Sequence, residues 1–314
     1  MDIVLSGSGS ALPEKNLTND DLSRIVDTSD EWIKSRTGIA DRHICKEDEP
    51  LSLFALKSAQ KALEMSGIKG SQLELIVAGT SSSDRNFPGC ACDVQAGLGA
   101  EGAVCFDVSA ACSGFIYAVH VAESMMRASG YKNALVIGAD ALSRHIDWTD
   151  RTTCVLFGDG AAAAVLVSGE FGGRGIIASS LGSDGSRGAC LTCGSIGEDK
   201  KLYMDGSEVF KFAIRKVPEN IQETINKSGL KKEDISLFVL HQANKRIIEM
   251  VAKKLGLSEE RFPINLEYTG NTSGASIPIL LDELIRAKRI KKGDNILLSG
   301  FGAGLTWGSL IFKY

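Results

Sequence analysis

One stretch decides the fold: Val104-Cys105-Phe106-Asp107-Val108-Ser109-Ala110-Ala111-Cys112-Ser113-Gly114-Phe115-Ile116-Tyr117-Ala118. It predicts a short apolar strand, a turn of small residues and the start of a helix. Cys112 stands at the junction, where the helix dipole and unpaired backbone N–H groups favour negative charge. Its small neighbours leave room for an acyl group to approach the sulfur. We expect Cys112 to be a nucleophile. The alternative is a buried structural cysteine, because cysteine is among the residue types most often buried.

Composition limits the function classes that need to be considered. A chain of 314 residues predicts two core-forming units or one large α/β fold. The 44% of hydrophobic and 6% of aromatic residues are typical of a well-packed enzyme, and the net charge of −4 argues against nucleic acid as a partner. No apolar run is long enough to span a bilayer, and the first residues enter a strand without a targeting signal. We therefore expect a cytoplasmic location and no membrane partner.

Eight cysteines in a reducing compartment are expected to be free thiols. Two close pairs, Cys90 with Cys92 and Cys190 with Cys193, raise the question of a metal site. A zinc site would need well-spaced pairs with histidine nearby, and all four histidines lie far from both pairs in the sequence. We expect no metal and treat these cysteines as small core residues.

Apolar strands and amphipathic helices alternate along the chain, which predicts a layered α/β fold. Near-continuous apolar runs are typical of parallel strands covered on both faces. The expected strands are Asp2–Gly9, Leu73–Thr80, Asn133–Ala139 and Ile235–Leu240, and Thr153–Val167 is expected to contain a glycine turn that enters a further strand. The expected helices are Thr18–Val26, Leu51–Ser66, Ala91–Leu98, Glu208–Val217 and Ile277–Ala287, with a further helix after His241.

The second half of the sequence resembles a divergent copy of the first. Leu75-Ile76-Val77-Ala78-Gly79 resembles Leu237-Phe238-Val239-Leu240-His241, and Asn133 to Gly138 resembles Asn295 to Gly300, both at an offset of 162. Cys112-Ser113-Gly114 resembles Thr272-Ser273-Gly274 at an offset of 160. We infer a tandem duplication with its junction near Gly169–Gly175, giving an N-terminal half 1–170 and a C-terminal half 171–314.

The duplication suggests partners for the thiol. Ligands of α/β folds bind at the carboxyl ends of strands, and equivalent strand ends of two halves should meet. The second half supplies His241 at one strand end and Asn271 before a helix. The segment Ser299–Gly308 predicts a glycine loop that points an N–H group at a substrate oxygen. Cys, His and Asn permit a thiol hydrolase, or an enzyme whose Cys holds an acyl group while His and Asn act on a second substrate.

Six motifs in order resemble those of β-ketoacyl-(acyl carrier protein) synthase III, the initiating condensing enzyme of bacterial fatty-acid synthesis in the thiolase-like superfamily. They are Asp27 to Ile33, Arg36 to Ile39, Ala110 to Phe115, His241 to Asn244, Gly270 to Ser276 and Gly302 to Gly308. The resemblance covers essentially the whole chain. It implies a five-layered αβαβα architecture made of two duplicated α/β units.

The resemblance also implies a reaction and its catalytic residues. Cys112 would take an acetyl or other short acyl group from CoA. His241 and Asn271 would donate hydrogen bonds to the malonyl thioester as CO2 leaves, and the carbanion would attack the Cys112 thioester. The oxyanion would lie against the N–H groups of Cys112 and Ala303, where Ala303 stands at a position that is often Gly in the family.

Binding residues follow from the same resemblance. Trp32 and Arg151 would sandwich the adenine of CoA, Thr28 and Arg36 would lie along its tunnel, and Asn244 near the pantetheine. The acidic carrier protein would dock on basic residues and the segment after His241: Lys211, Gln242, Ala243, Asn244, Lys245 and Arg246. The acyl pocket would be shaped by Leu142, Phe157, Phe210 and Phe87, the last from the partner in a homodimer. CoA thioester is a substrate, so no cofactor is expected.

This chain lacks catalytic residues that related enzyme classes require. A thiolase would need a second Cys in the C-terminal glycine loop, and elongating synthases have a second His where this chain has Asn271. A specialised homologue that condenses other acyl groups in secondary metabolism stays open, as does a thioester hydrolase with the same three residues. The sequence does not fix the primer.

Overall fold

A computed structural model of the chain describes residues 1–194 and 201–314. Its strands are Asp2–Ala11 (β1), Asn16–Thr18 (β2), Asp41–His43 (β3), Leu75–Gly79 (β4), Val104–Val108 (β5), Asn133–Ala141 (β6), Asp159–Gly169 (β7), Gly175–Ser183 (β8), Leu191–Thr192 (β9), Tyr203–Met204 (β10), Ile235–Leu240 (β11), Asn295–Gly302 (β12) and Thr306–Lys313 (β13). Its helices are Asn19–Leu22 (α1), Asp30–Thr37 (α2), Leu51–Ser66 (α3), Cys90–Leu98 (α4), Gly114–Ser129 (α5), Gly206–Ser228 (α6), Lys245–Leu255 (α7), Leu266–Thr269 (α8) and Ser276–Arg286 (α9).

Two mixed sheets form the frame of the molecule. The first has the order β1-β7-β6-β4-β5, with β4 parallel to both β5 and β6. The second has the order β8-β13-β12-β11, with β11 parallel to β12. In each sheet two antiparallel strands lie beside the parallel ones, β1 and β7 in the first and β8 and β13 in the second.

Side chains that alternate along the strands pack the sheets into five layers. Leu75 and Val77 of β4 join α5 and α9 in a cluster between the two sheets, together with Val239 of β11. Ile76, on the opposite face of β4, packs with α3 and α4 on one outer side. Phe238 packs with α6 and α7 on the other outer side. The order α3/α4, first sheet, α5/α9, second sheet, α6/α7 is the predicted αβαβα architecture.

The strand registers repeat between the two sheets. Val77 lies opposite Val136 in the first sheet, and Val239 lies opposite Leu298 in the second, an offset of 162 for both partners. The turns before α5 and α9 repeat too, since Ala111–Ser113 and Ser273–Ala275 are both 3-10 turns that begin at a residue with positive φ. The sequence alignment that paired Cys112 with Thr272 is therefore wrong by two positions. Cys112 corresponds to Gly274.

Two expectations about elements need correction, and one strand was not expected. α6 does not end at Val217 but continues through Pro218 to Ser228, because a buried apolar stripe packs its second half on the sheet. The segment Ser299–Gly308 is not an open loop but the end of β12, a short connection and the start of β13. β8 was not predicted, because its small and polar residues (Ala178 to Ser183) give no apolar run.

The described ranges were searched for membrane-spanning helices, groups of metal ligands and disulfides. In the described ranges, no helix has the length and apolar character that crossing a bilayer requires. Within the same ranges, no three His, Cys, Asp or Glu side chains are grouped as metal ligands would be. The described cysteines form no disulfide, although the sulfurs of Cys92 and Cys105 lie 3.4 Å apart.

Candidate active site

Cys112 lies in the turn between β5 and α5 and is 7% exposed. Burial raises the pKa of its thiol to about 12, so the sulfur carries its proton at neutral pH. The Ser273 hydroxyl donates a hydrogen bond to the sulfur over 3.3 Å, which works in the opposite direction. Gly302 of β12 packs directly on the nucleophile, since a Cβ at that position would lie 2.7 Å from the Cys112 nitrogen. Two residues of the second half of the chain, Ser273 and Gly302, thus contact Cys112.

His241 follows the last residue of β11 and is 2% exposed. Burial lowers the pKa of its imidazole to about 3, so the ring is neutral at physiological pH. Its Nδ1 lies 2.7 Å from the Ser276 hydroxyl oxygen, which also accepts the backbone N–H of Gln242. We assign this hydroxyl as the donor to Nδ1, which places the hydrogen of the neutral ring on Nε2. In this assignment His241 can donate a hydrogen bond toward the cavity that it lines.

Asn271 is held by the first half of the chain. Its backbone N–H donates to the Leu156 carbonyl over 2.9 Å, and its carbonyl accepts the N–H of Gly158 over 3.0 Å. Its side-chain oxygen accepts the backbone N–H of Ser273 over 2.9 Å. Because the oxygen is occupied, the NH2 group of the amide is the part left to donate to a ligand.

Two connected cavities meet at the thiol. An outer cavity of about 210 Å³ is lined by Cys112, His241 and Asn271 together with residues nearer the surface. An inner cavity of about 430 Å³ extends from the other side of Cys112. Ala303, expected to share the oxyanion site with Cys112, lines the inner cavity beside it. The Cys112 sulfur therefore lines both cavities, which we call the outer channel and the inner chamber.

The expected CoA residues lie at the mouth of the outer cavity. Trp32, Arg36, Arg151 and Asn244 all line it. The Arg151 and Arg36 guanidinium carbons lie 4.9 and 5.7 Å from the centre of the Trp32 ring. A flat base between Trp32 and Arg151 needs about 7 Å, twice a carbon contact distance, so Arg151 must move before it can sandwich an adenine. Thr28 does not line the cavity, but its buried hydroxyl has no partner among the described residues.

The expected acyl-pocket residues are divided between the two cavities. Leu142 and Phe157 line the inner chamber. Phe210 lines the outer channel and not the chamber, because α6 flanks the entrance. Phe87 is 84% exposed and lines neither cavity of its own chain. Sequence reasoning gave no indication of His145, a half-buried imidazole in the wall of the inner chamber.

The expected carrier-protein residues lie around the entrance, with one exception. Lys211, Lys245 and Arg246 are exposed, and Ala243 is half-buried. Lys211 forms an ion pair with Glu208 on its own helix. Gln242 is fully buried, with its amide bonded to the Leu240 carbonyl and the Asn265 N–H, so its side chain cannot touch a docked protein. Asn244 caps α7 through the N–H of Arg246.

Three polar residues of the site were not predicted from the sequence. Ser273 contacts Cys112, Ser276 contacts His241, and Asp140 is a buried carboxylate beside the turn that carries Asn271. Asp140 did leave a signal, because it is an acidic residue at the end of a strand that is otherwise apolar. The two serines belong to a run of small polar residues whose members look alike in sequence.

The chain is similar to known proteins along almost its whole length. Residues 106–185 match the profile of 3-oxoacyl-[acyl-carrier-protein (ACP)] synthase III, and residues 225–314 match that of its C-terminal part. The chain is 47% identical to a beta-ketoacyl-[acyl-carrier-protein] synthase III of Xanthomonas campestris over 99% of this chain and 98% of the relative.

Solved structures extend the comparison to the fold. A crystal structure of 3-oxoacyl-[acyl-carrier-protein] synthase III from Aquifex aeolicus is 45% identical, with a TM-score of 0.96 over 99% of this chain and 100% of that chain. The priming beta-ketosynthase of the R1128 polyketide pathway is 33% identical, with a TM-score of 0.95 over 99% of this chain and 96% of that chain. The chain belongs to the 3-oxoacyl-[acyl-carrier-protein] synthase III family.

Proposed function

We propose that this chain is an acyltransferase that condenses a short acyl-CoA with malonyl-acyl carrier protein, releasing CoA and CO2 and giving a 3-ketoacyl-acyl carrier protein. In this role it initiates fatty-acid synthesis, as the names of its relatives indicate. One observation carries the assignment to this site: the side chains of His241 and Asn271, each able to donate an N–H, line the same cavity as the Cys112 thiol.

The first half-reaction transfers the acyl group to Cys112. Acyl-CoA enters by the outer channel, and its acyl chain extends past the sulfur into the inner chamber. As the sulfur attacks, the thioester oxygen becomes an oxyanion that needs fixed donors. The N–H groups of Cys112 and Ala303 take that role in our proposal, which is supported by the position of both residues beside the chamber.

The second half-reaction needs donors and no strong base. Loss of CO2 from the malonyl thioester generates an enolate, whose oxygen is stabilised by the Nε2–H of His241 and the amide NH2 of Asn271. The neutral state of His241 suits this task, because an imidazole with a pKa of about 3 keeps its hydrogen bond donor without carrying a charge. The carbanion then attacks the Cys112 thioester and the thiol is released.

The hydrogen-bond pattern disfavours the thioester hydrolase. A hydrolase triad needs a histidine that accepts the thiol proton and an asparagine that orients the ring. Here Ser276 contacts the His241 ring, and Ser273 is the described residue that hydrogen-bonds to the Cys112 sulfur. Asn271 instead bonds to the backbone of Ser273.

The binding roles are part of the same proposal. Trp32, Arg36, Arg151 and Asn244 hold CoA, while Lys211, Lys245 and Arg246 attract the acidic carrier protein. Residues 1–170 contribute the nucleophile and residues 171–314 the two donors. A homodimer in the cytoplasm, with Phe87 entering the partner's acyl pocket, is supported by the exposure of that ring.

The test is to incubate the purified protein with acetyl-CoA and malonyl-acyl carrier protein. We expect CO2 and a 3-ketoacyl product, and an acetyl adduct on Cys112 when malonyl-acyl carrier protein is omitted. Cys112→Ser is the matched control and should lose the adduct. Free acid and CoA without any malonyl requirement would instead identify a hydrolase. Comparing acetyl-, isobutyryl- and octanoyl-CoA identifies the primer.

A further inference from the structure

Asp140 is a buried carboxylate that accepts hydrogen bonds from both halves of the chain. It lies near the end of β6 and is 0% exposed. Its Oδ1 accepts the backbone N–H of Ser81 over 2.8 Å and the hydroxyl of Ser82 over 2.7 Å. Its Oδ2 accepts the backbone N–H of Gly274 over 3.0 Å. Asp140 therefore joins the segment after β4 in the first half to the turn before α9 in the second half.

The internal duplication gives this carboxylate a meaning. The offset of 162 that relates the two sheets pairs Cys112 with Gly274 and Asp140 with Gly302. At the first turn the strand residue is Gly302, which has no side chain and would place a Cβ 2.7 Å from the Cys112 nitrogen. At the second turn the strand residue is Asp140, whose carboxylate occupies the N–H of Gly274. Asp140 thus supplies to Gly274 the negative partner that, in the proposed function, the substrate oxyanion supplies to the N–H of Cys112.

The two oxygens of Asp140 meet fixed donors on opposite sides. The N–H groups of Ser81 and Gly274 belong to the backbone and cannot act as acceptors. A carboxylate accepts on both oxygens, whereas the amide of an asparagine accepts on one side and donates on the other. Asp140→Asn would therefore set an NH2 group against one of the two backbone N–H groups and leave that N–H buried without an acceptor.

The turn that Asp140 holds carries the second donor of the site. The side-chain oxygen of Asn271 accepts the N–H of Ser273 over 2.9 Å, so the direction of its NH2 group depends on where Ser273 lies. Ser273 has a φ of +51, which few residues other than glycine adopt unless their surroundings hold them there. The hydrogen bond from Gly274 to Asp140 fixes the peptide that follows Ser273.

We propose that Asp140 is a positioning residue for condensation, because its carboxylate anchors the turn 271–274 and so aims the amide NH2 of Asn271 at the malonyl thioester. Asp140 acts through Gly274 and Ser273 and does not touch the reacting atoms. No Lys or Arg of the described ranges forms an ion pair with it, so these hydrogen bonds are what stabilises its buried charge. This inference rests on the proposed function, in which Asn271 stabilises the enolate.

A second buried carboxylate of the chain provides the matched control. Asp140→Asn removes one acceptor at nearly constant volume. Asp159 is also 0% exposed, and its two oxygens also accept backbone N–H groups, from Ser143 over 3.0 Å and from Cys45 over 2.8 Å. Asp159→Asn therefore disturbs the same kind of double acceptor within the first half alone. Asp140→Ser, which leaves space for a water between the donors, replaces Asp140→Asn if that variant does not fold.

The activity test compares two half-reactions, decarboxylation of malonyl-acyl carrier protein and single-turnover acetylation of Cys112 by acetyl-CoA. We expect decarboxylation to fall about 10- to 100-fold in Asp140→Asn, the scale for loss of an orienting contact. Acetylation in this variant, and both steps in Asp159→Asn, should stay within about threefold of the parent. In an Asn271→Ala background, Asp140→Asn should change decarboxylation less than about threefold, because the donor that it orients is gone.

Hydrogen exchange tests the anchor without any turnover. The backbone amides of residues 272–275 should exchange about 10-fold faster in Asp140→Asn than in the parent, and at the parent rate in Asp159→Asn. Unchanged exchange in this segment overturns the proposal. An equal loss of both half-reactions, or the full loss of decarboxylation in the Asn271→Ala background, also overturns it. A parent protein that performs neither half-reaction contradicts the proposed function instead, and the exchange rates still decide whether Asp140 anchors the turn.

Discussion

The Ser276 hydroxyl lies 2.7 Å from Nδ1 of His241, and in our assignment it keeps the ring hydrogen on Nε2. Ser276→Ala removes the donor to Nδ1, so the ring loses its preferred tautomer and its fixed orientation. We expect condensation to fall about 10- to 100-fold, while acetylation of Cys112 is retained. Quenched-flow measurement of both steps checks this. Ser58→Ala is the control, because Ser58 is a buried serine of α3 that donates to the Ala55 carbonyl in the outer layer.

The titration of His241 gives a second prediction at this scale. The pKa is about 3 in the folded chain and 6.5 for an ordinary histidine, so between these values only the unfolded chain binds the proton. Stability should therefore fall as the pH drops from 6.5 toward 3. Between pH 7 and pH 5 the parent should lose about 2 kcal/mol more than His241→Gln, measured by urea unfolding at both values. An identical loss in the two proteins would show that His241 has the same pKa in the folded and the unfolded chain.

Among elements, β6 of the first half packs closely on the turn before α9 of the second half. Gly138 of β6 is the point of contact, since a Cβ there would lie 2.4 Å from the Gly274 carbonyl oxygen. Gly138→Ala should push the turn outward and with it Asn271, costing about 1–3 kcal/mol of stability and most of the condensing activity. Gly185→Ala is the control, because a Cβ at Gly185 meets nothing within 4 Å. Thermal unfolding and product formation report the two effects separately.

The helices and strands also show how much of the fold the sequence predicts. α3 and β11 were predicted with their observed bounds, because each combines a clear apolar period with a clear stop. β8 could not be, since its small and polar residues follow from pairing with the distant strand β13 and not from local preference. The same limit applies to the site: Ser273 and Cys112 are 161 positions apart, and only the packing of one half on the other brings them together.

At the scale of the whole molecule, the first sheet ends in a strand that has no neighbour within the described chain. β5 lies at the edge of the order β1-β7-β6-β4-β5, and Val104 is 41% exposed. An uncovered edge strand with apolar side chains pairs readily with another chain. The short loop that carries the exposed Phe87 follows the neighbouring strand β4. We therefore expect two copies to associate along this edge, which is the homodimer of our proposal.

Val104→Lys tests that edge directly. A lysine there should repel a second copy and leave a folded monomer at micromolar concentration, seen by sedimentation velocity, because a charged edge opposes strand pairing. Ile177→Lys is the control, since Ile177 is a similarly exposed apolar residue on β8 of the other sheet. The monomer should also lose activity with longer primers if Phe87 completes the partner's pocket. A parent protein that sediments as a monomer would contradict the homodimer. A Val104→Lys variant that still sediments as a dimer would contradict an interface along β5.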